Sequence, residues 1–115
     1  NDILRKSKNT PNLAVLPGYE LWLSGLLKRG CDVWLNTPQR PLEASGTSGM
    51  SANMNAAIHL SIFDGWAVEG TYHGLNGYII NEQGSEEYLP VEERHQQDYD
   101  SMMHLLENDI IPMYY

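Results

Sequence analysis

Residues 32–63 read DVWLNTPQRPLEASGTSGMSANMNAAIHLSIF, and this stretch decides the fold. Its pattern predicts a strand at 32–36, a loop with two prolines at 37–46, a helix at 48–58 and a second strand at 59–63. Two strands joined by a helix run parallel in one sheet. The stretch therefore predicts one strand-helix-strand unit.

The sequence before this unit predicts one more strand and one more helix. Leu13–Leu16 is a short apolar run between prolines, which is typical of a strand buried on both faces. Residues 19–29 follow with an apolar face that includes Trp22 and a polar face that includes Ser24, which predicts a helix packed on the core. Gly30 predicts the end of that helix.

The sequence after the unit predicts a short fourth strand at 77–80 and a helix at 101–111 that ends at Pro112, separated by a solvated acidic segment at 82–94. This order predicts an α/β domain in which helices flank a parallel sheet. Because 115 residues suffice for one core only, we expect residues 1–115 to form a single domain. Ligands of such sheets bind beyond the carboxyl ends of the strands, which points to residues 17–19, 36–49 and 64–69.

Charge and composition exclude several classes of protein. The net charge is −8; six bases and three acids lie in residues 1–40, whereas Arg94 is the one base against twelve acids in residues 41–115. An acidic chain opposes binding to nucleic acid or to an anionic membrane, and no apolar run is long enough to span a bilayer. With Cys31 alone there is no internal disulfide, so we expect a cytoplasmic protein.

Ser45-Gly46-Thr47-Ser48-Gly49 is the strongest candidate for a binding site. It joins a loop after a strand to the start of a helix, where backbone N–H groups and the helix dipole favour an anion such as phosphate. The glycines match neither a Walker motif nor a dinucleotide fingerprint. The same residues also fit a helix that is merely capped by Ser or Thr.

Residues 32–38 and 40–50 closely resemble the α-glucan (glycogen and maltodextrin) phosphorylase family, and the resemblance continues through Asn55, 61–66, 68–70, 76–77 and 111–115. Upstream, residues 16–20 resemble a tyrosine-containing segment of the same family. The resemblance covers essentially the whole chain, as a late stretch of a much longer enzyme. It implies part of a Rossmann-like C-terminal lobe in a two-lobed glycosyltransferase fold. It also implies transfer of glucosyl units from α-1,4-glucan to phosphate, which gives glucose-1-phosphate, with pyridoxal phosphate as cofactor.

The resemblance also assigns roles to individual residues. The glucosyl hydroxyls would contact Glu43, Ser45 and Gly46. The cofactor phosphate would lie at Thr47 and Ser48, with Tyr19 beside it. Metal ligands and catalytic side chains are not implied for this stretch, and the four histidines lack paired metal spacing.

Ser51 departs from the family at the position of the lysine that binds pyridoxal phosphate. A Schiff base requires an amine, and Lys28 is the last lysine of the chain, so covalent attachment of the cofactor is not expected. A degenerate fragment, a lobe that kept glucan binding without catalysis, and a relative that works without the cofactor all remain compatible with Ser51.

Two functions follow from these observations. The first is a piece of an α-glucan phosphorylase, inactive alone, with α-glucan and phosphate or glucose-1-phosphate as ligands. The second is a noncatalytic glucan-binding or subunit-assembly module, in which exposed edges of a partial sheet lead to a homo-oligomer. Glycoside hydrolysis by Asp64 and Glu69 is a more distant third reading, and Trp66 could stack on a sugar ring.

Overall fold

The computed structural model describes residues 10–43, 46–82 and 89–115. The elements are α1 (Leu21–Gly30), β1 (Val33–Asn36), α2 (Ser48–Asn53), β2 (Ile58–Ile62), α3 (Ala67–Gly70), β3 (Gly77–Ile80), α4 (Val91–Leu105), a π-helical turn (Leu106–Ile110) and α5 (Ile111–Tyr114). The π-helical turn joins α4 directly to α5.

The described strands form one parallel sheet in the order β1-β2-β3. Leu35 of β1 lies beside Leu60 of β2, which lies beside Tyr78 of β3. The predicted α/β class with a parallel sheet and flanking helices is therefore confirmed, and the architecture is that of a partial Rossmann-like lobe.

The strand predicted at Leu13–Leu16 is wrong. The segment forms no described strand, and the side chains of Leu13 and Leu16 are about half exposed, at 49% and 52%. An apolar run becomes a buried strand only where a neighbouring strand pairs with it. Here β1 and β2 pair with each other, and the described sheet has three strands rather than four.

The two faces of the sheet are covered by different elements. Alternation along β2 turns Leu60 and Ile62 to one face, where they pack in the hydrophobic core. The core is completed by Ile80, Leu105 and Ile110, with Val33, Tyr78, Met102 and Leu106 packed around it. His59 and Ser61 turn to the opposite face, the side of α2 and α3, and both are fully buried.

The C-terminal helix has the predicted apolar face but different ends. It begins at Val91, within the segment predicted to be solvated, because Glu92 and Glu93 lie in its first turn, where the helix dipole favours acids. Pro112 does not end it. The π-helical turn restarts the helix at Ile111, and a proline at the beginning of a helix lacks only an N–H that has no intrahelical partner there.

Helix α1 lies where the sequence predicts it, but its buried face is turned toward the predicted polar side. Leu21 and Trp22 are 94% and 67% exposed, whereas Ser24 is 5% exposed. The helix packs against α2, a helix of small residues, rather than over a strand at 13–16. The expectation that Trp22 faces the core is therefore wrong.

Helix α2 is shorter than the predicted 48–58. It ends at Asn53, and Ala56 adopts a left-handed conformation with φ of 69°. The Asn53 side chain ties down this end, because its Nδ2 donates to the carbonyls of Ala57 at 3.1 Å and Asn76 at 2.6 Å. Ile58 then begins β2 directly.

Candidate functional site

The loop from β1 to α2 is held at the carboxyl edge of the sheet. Arg40 Nη1 donates to the carbonyl of Phe63, just after β2, at 3.0 Å. The backbone N–H groups of Leu42 and Glu43 donate to the Gln39 carbonyl at 2.8 and 3.0 Å, which closes a turn. Glu43 is exposed at the end of this turn. The loop is thus anchored to the neighbouring strand, and the Glu43 carboxylate is accessible.

The turn into α2 contains the glycine and hydroxyl residues of the predicted anion site. Gly46 has φ of 63°, a left-handed conformation that favours glycine. Thr47 occupies the position before the helix, but its side chain makes no capping hydrogen bond. The first N–H groups of a helix have no partner within the helix. The Thr47 hydroxyl and these N–H groups therefore remain available to a ligand; Ser45 lies outside the described residues.

Tyr19 connects α1 to the start of α2. Its hydroxyl donates to Oγ of Ser24 at 2.7 Å in the neutral form. Hydrogen bonding by Ser24, and to a smaller extent the charge of Lys28 and hydrogen bonding by Ser48, lowers the pKa of the Tyr19 phenol. Since Ser48 is close enough to act on the phenol, Tyr19 and the anion loop share one corner of the molecule. The role of Tyr19 beside a cofactor phosphate stays a prediction.

Ser51 is bonded back into its own helix. Its Oγ donates to the carbonyl of Thr47 at 3.0 Å, and its backbone N–H donates to the same carbonyl at 3.0 Å. Among the described contacts of Ser51, no basic side chain is hydrogen-bonded to its hydroxyl, so the hydroxyl is not activated as a nucleophile. A hydroxyl also cannot form an imine with an aldehyde.

The buried side chain of His59 packs against the backbone of α2. His59 is fully buried, its Nδ1 lies 3.0 Å from Oγ1 of Thr71, and its ring stacks on Trp66 with centroids 4.9 Å apart. A Cβ atom placed on Gly49 would overlap Nε2 of His59, so the backbone of α2 rests directly on the ring. Burial lowers the pKa of His59, which favours the neutral imidazole.

Sequence reasoning missed this support of the loop, although a signal was available. Alternation along the predicted strand 59–63 places His59 opposite Leu60, on the face that meets the next helix. Trp66 was the candidate for sugar stacking, and it stacks on the histidine instead. Nε2 of His59 and Nε1 of Trp66 are both buried without a hydrogen-bond partner.

Other candidate chemistry is weaker. The Asp64 carboxylate accepts a hydrogen bond from the N–H of Gly65 at 2.8 Å and so closes its own turn, while Glu69 is exposed. Within the described ranges, no three His, Cys, Asp or Glu side chains are grouped to hold a metal ion. In the same ranges, no helix combines the length and apolarity that crossing a membrane requires.

Comparison with known proteins places this segment. The chain is 46% identical over 103 residues to a maltodextrin phosphorylase of Thermococcus litoralis and 45% identical over 103 residues to a glycogen phosphorylase of Aquifex aeolicus. Each match covers 90% of this chain, but only 12% and 14% of the respective relative. A glycogen phosphorylase of Mycobacterium tuberculosis is 54% identical over 68 residues, which are 59% of this chain and 8% of that protein.

No protein-family model matches the chain, and no solved structure matches it significantly. The 103 matched residues still make up nine-tenths of the sequence at almost one identity in two. An agreement of that length and level, shared by a maltodextrin and a glycogen phosphorylase, reflects common ancestry. The chain is therefore homologous to a short segment of the glycogen and maltodextrin phosphorylases.

Proposed function

We propose that this chain provides the glucosyl- and phosphate-binding loop of an α-glucan phosphorylase-type glycosyltransferase. The family reaction transfers a glucosyl unit of α-1,4-glucan to phosphate and releases glucose-1-phosphate. The observation that carries the proposal is the uncapped start of α2, where Thr47 makes no capping hydrogen bond and Ser48 lies close enough to Tyr19 to act on its phenol. The homology to maltodextrin and glycogen phosphorylases supports it.

The anion side of the site is built from neutral donors. Backbone N–H groups at the start of α2, with the hydroxyls of Thr47 and Ser48, suit the oxygens of a phosphate group. The lowered pKa of Tyr19 reflects donors that stabilise negative charge at this corner. The N–H groups and hydroxyls of α2 supply hydrogen bonds but no full positive charge, and Lys28 acts on Tyr19 without a described contact to Thr47 or Ser48. Phosphate binding by this chain alone is therefore expected to be weak.

The sugar side of the site follows from the turn before α2. Glu43 is exposed and accepts hydrogen bonds from hydroxyl groups, and the backbone of Gly46 is open, since a Cβ there would meet no atom within 4 Å. The Glu43 carboxylate and the accessible backbone of Gly46 can hydrogen-bond to the closely spaced hydroxyl groups of a glucosyl unit. Ser45 completes the proposed set from the resemblance.

The residues do not fit covalent pyridoxal phosphate. Ser51 has no amine and bonds back to Thr47, and Lys28 lies on α1 as the last lysine of the chain. We therefore derive no catalytic step through the cofactor and assign no catalytic residue. The chain alone is expected to bind sugar phosphate without turning over glucan.

Titration of the 115-residue chain with glucose-1-phosphate, followed by backbone amide NMR, tests the proposal. Saturable shifts are expected at Tyr19 and at residues 46–49, and inorganic phosphate should reproduce the shifts at Thr47 and Ser48. Maltoheptaose should shift the loop around Glu43. No release of glucose-1-phosphate from maltoheptaose and phosphate is expected.

Thr47→Val removes the hydroxyl and keeps the shape of the side chain. It should weaken binding of glucose-1-phosphate by about fivefold to tenfold, the value of one hydrogen bond. Thr37→Val is the matched control, since Thr37 is also an exposed threonine of the β1–α2 loop, and it should change binding less than twofold. Equal effects of the two variants, or no saturable shift in the parent chain, would contradict the proposal.

The subunit-assembly function is favoured by a separate observation. α1 presents Leu21, Trp22 and Leu26 to solvent at 94%, 67% and 43% exposure, and the half-exposed Leu13–Leu16 segment precedes it in the chain. Several large apolar side chains exposed on one short helix favour an interaction site. Sedimentation of the chain at increasing concentration should show self-association that Trp22→Lys weakens. A strict monomer at high concentration would exclude the homo-oligomer.

A further inference from the structure

A cavity of about 360 Å³ lies at the carboxyl edge of the sheet, between the sheet and α4. It is on the face opposite the His59 support of the anion loop, because its floor consists of Leu35, Ile62 and Ile80. Met102 of α4 closes the apolar side. Beyond the carboxyl ends of parallel strands is the usual place for ligands in open α/β sheets, and the volume suits a small molecule.

The rim of this cavity carries two guanidinium groups. Arg94 reaches in from α4 and Arg40 from the β1–α2 loop. Arg94 Nη1 donates to the backbone carbonyl of Arg40 at 3.3 Å, which is long for a hydrogen bond, and its Nε is buried without any partner. The hydrogen-bonding capacity of Arg94 is thus poorly used. Burying such a donor unsatisfied is costly.

The expected internal partner of Arg94 is engaged elsewhere. Asp98 lies four residues further along α4, at the spacing of a helical ion pair. Its Oδ1 instead accepts a hydrogen bond from Nδ2 of Asn81 at 3.2 Å, at the end of β3. Among the described residues Arg94 has no carboxylate partner, although it is the one base in residues 41–115.

We propose that this cavity binds a small organic carboxylate with an apolar body. The carboxylate would accept hydrogen bonds from the guanidinium of Arg94, and the body would lie on Leu35, Ile62 and Met102. A single carboxylate fits better than a polyphosphate, because Asp98 also lines the cavity and repels additional negative charge. This site is separate from the loop of the proposed function, so each can fail without the other.

2-Naphthoate is a suitable probe because it joins one carboxylate to a rigid apolar body. It should bind the 115-residue chain saturably in calorimetry and shift the amide signals of Arg94, Asp98 and Met102. Arg94→Gln should weaken binding by about tenfold, as expected for loss of a charge-assisted hydrogen bond. Arg29→Gln removes the same charge from an exposed position on α1 and should change binding less than twofold.

The neutral analogue 2-naphthalenemethanol separates the two parts of the proposal, and it should bind about tenfold more weakly than the acid. Met102→Trp should fill the cavity and abolish binding of both compounds, and an amide spectrum as well dispersed as that of the parent chain reports that this variant is folded. Equal affinity of acid and alcohol, equal loss in both arginine variants, or shifts confined to the exposed surface of α1 would each overturn the proposal.

Discussion

Gly49→Ala should destabilise the protein, although alanine is the better helix former. The alanine Cβ would overlap Nε2 of His59 and lie 2.7 Å from its Cδ2 and 3.0 Å from its Cε1. The ring has little room to retreat, because it is fully buried, stacked on Trp66 and held at Thr71. Either α2 or the histidine must therefore shift.

The magnitude follows from two opposing contributions. Overpacking a tight site costs about 1–3 kcal/mol, whereas replacing glycine by alanine within a helix gains about 1 kcal/mol. The net loss in the free energy of unfolding should therefore be up to about 2 kcal/mol. Urea unfolding followed by tryptophan fluorescence measures it, because Trp66 reports directly on the histidine stack. A midpoint lower by up to roughly 1 M is expected.

Gly25→Ala is the matched control. Gly25 is also inside a helix, but its alanine Cβ would meet only the flexible end of Arg29 at 3.7 Å or more, an ordinary contact. This variant should therefore be stabilised by about 0.5–1 kcal/mol. The penalty of Gly49→Ala should also shrink in a His59→Ala background, where the overlapping ring is absent. If Gly49→Ala is as stable as Gly25→Ala, the packing of α2 on His59 is refuted.

Three further predictions concern the same part of the molecule. Gly77→Ala should cost about 3 kcal/mol or more in urea unfolding, because its Cβ would overlap the backbone carbonyl of His59 inside the sheet. Burial lowers the pKa of His59, so below the usual histidine pKa the unfolded chain binds a proton that the folded chain does not. The free energy of unfolding should therefore fall as the pH drops below about 6.5, by up to about 1.4 kcal/mol per pH unit. The His59→Gln variant should lose this contribution to the pH dependence. After incubation with pyridoxal phosphate and reduction with borohydride, the Ser51→Lys variant should carry a pyridoxyl adduct at residue 51 in peptide mass spectra, whereas the parent chain should carry none there. An adduct confined to Lys28 and the earlier lysines in both proteins would contradict the assignment of residue 51 to the cofactor lysine position.

The central strand-helix-strand unit could be predicted because its signals are local. The apolar runs at 32–36 and 59–63 match β1 and β2 within one residue, and the segment 77–80 matches β3. Each run is short, bounded by turn residues, and paired with a neighbour close in the chain. The β1–α2 loop, with its glycines and hydroxyls, could be located for the same reason, since it lies between two such signals. Its binding of an anion stays a prediction.

The elements that the sequence does not predict correctly depend on which surfaces pack against each other in the folded chain. Leu13–Leu16 has the composition of a strand, but a strand exists only with a partner, and sequence does not show whether one is present. The apolar side of α1 is equally clear in the sequence, yet the helix buries Ser24 against α2 and exposes Trp22. Both errors have one cause: an apolar pattern shows that a surface is suited to burial, without showing what covers it.

The contacts that shape the candidate site explain why so short a segment can retain its geometry. Arg40 ties the loop to Phe63, Tyr19 meets Ser24 and Ser48, and His59 supports Gly49. Every one of these contacts lies within the chain, although the chain spans only 12–14% of the phosphorylases that it matches over 103 residues. The proposed binding by the loop thus relies on contacts within the chain, whereas Ser51 provides no amine for a Schiff base with pyridoxal phosphate. The two properties are separable, and restoring lysine at residue 51 should recover cofactor attachment without, by itself, recovering turnover.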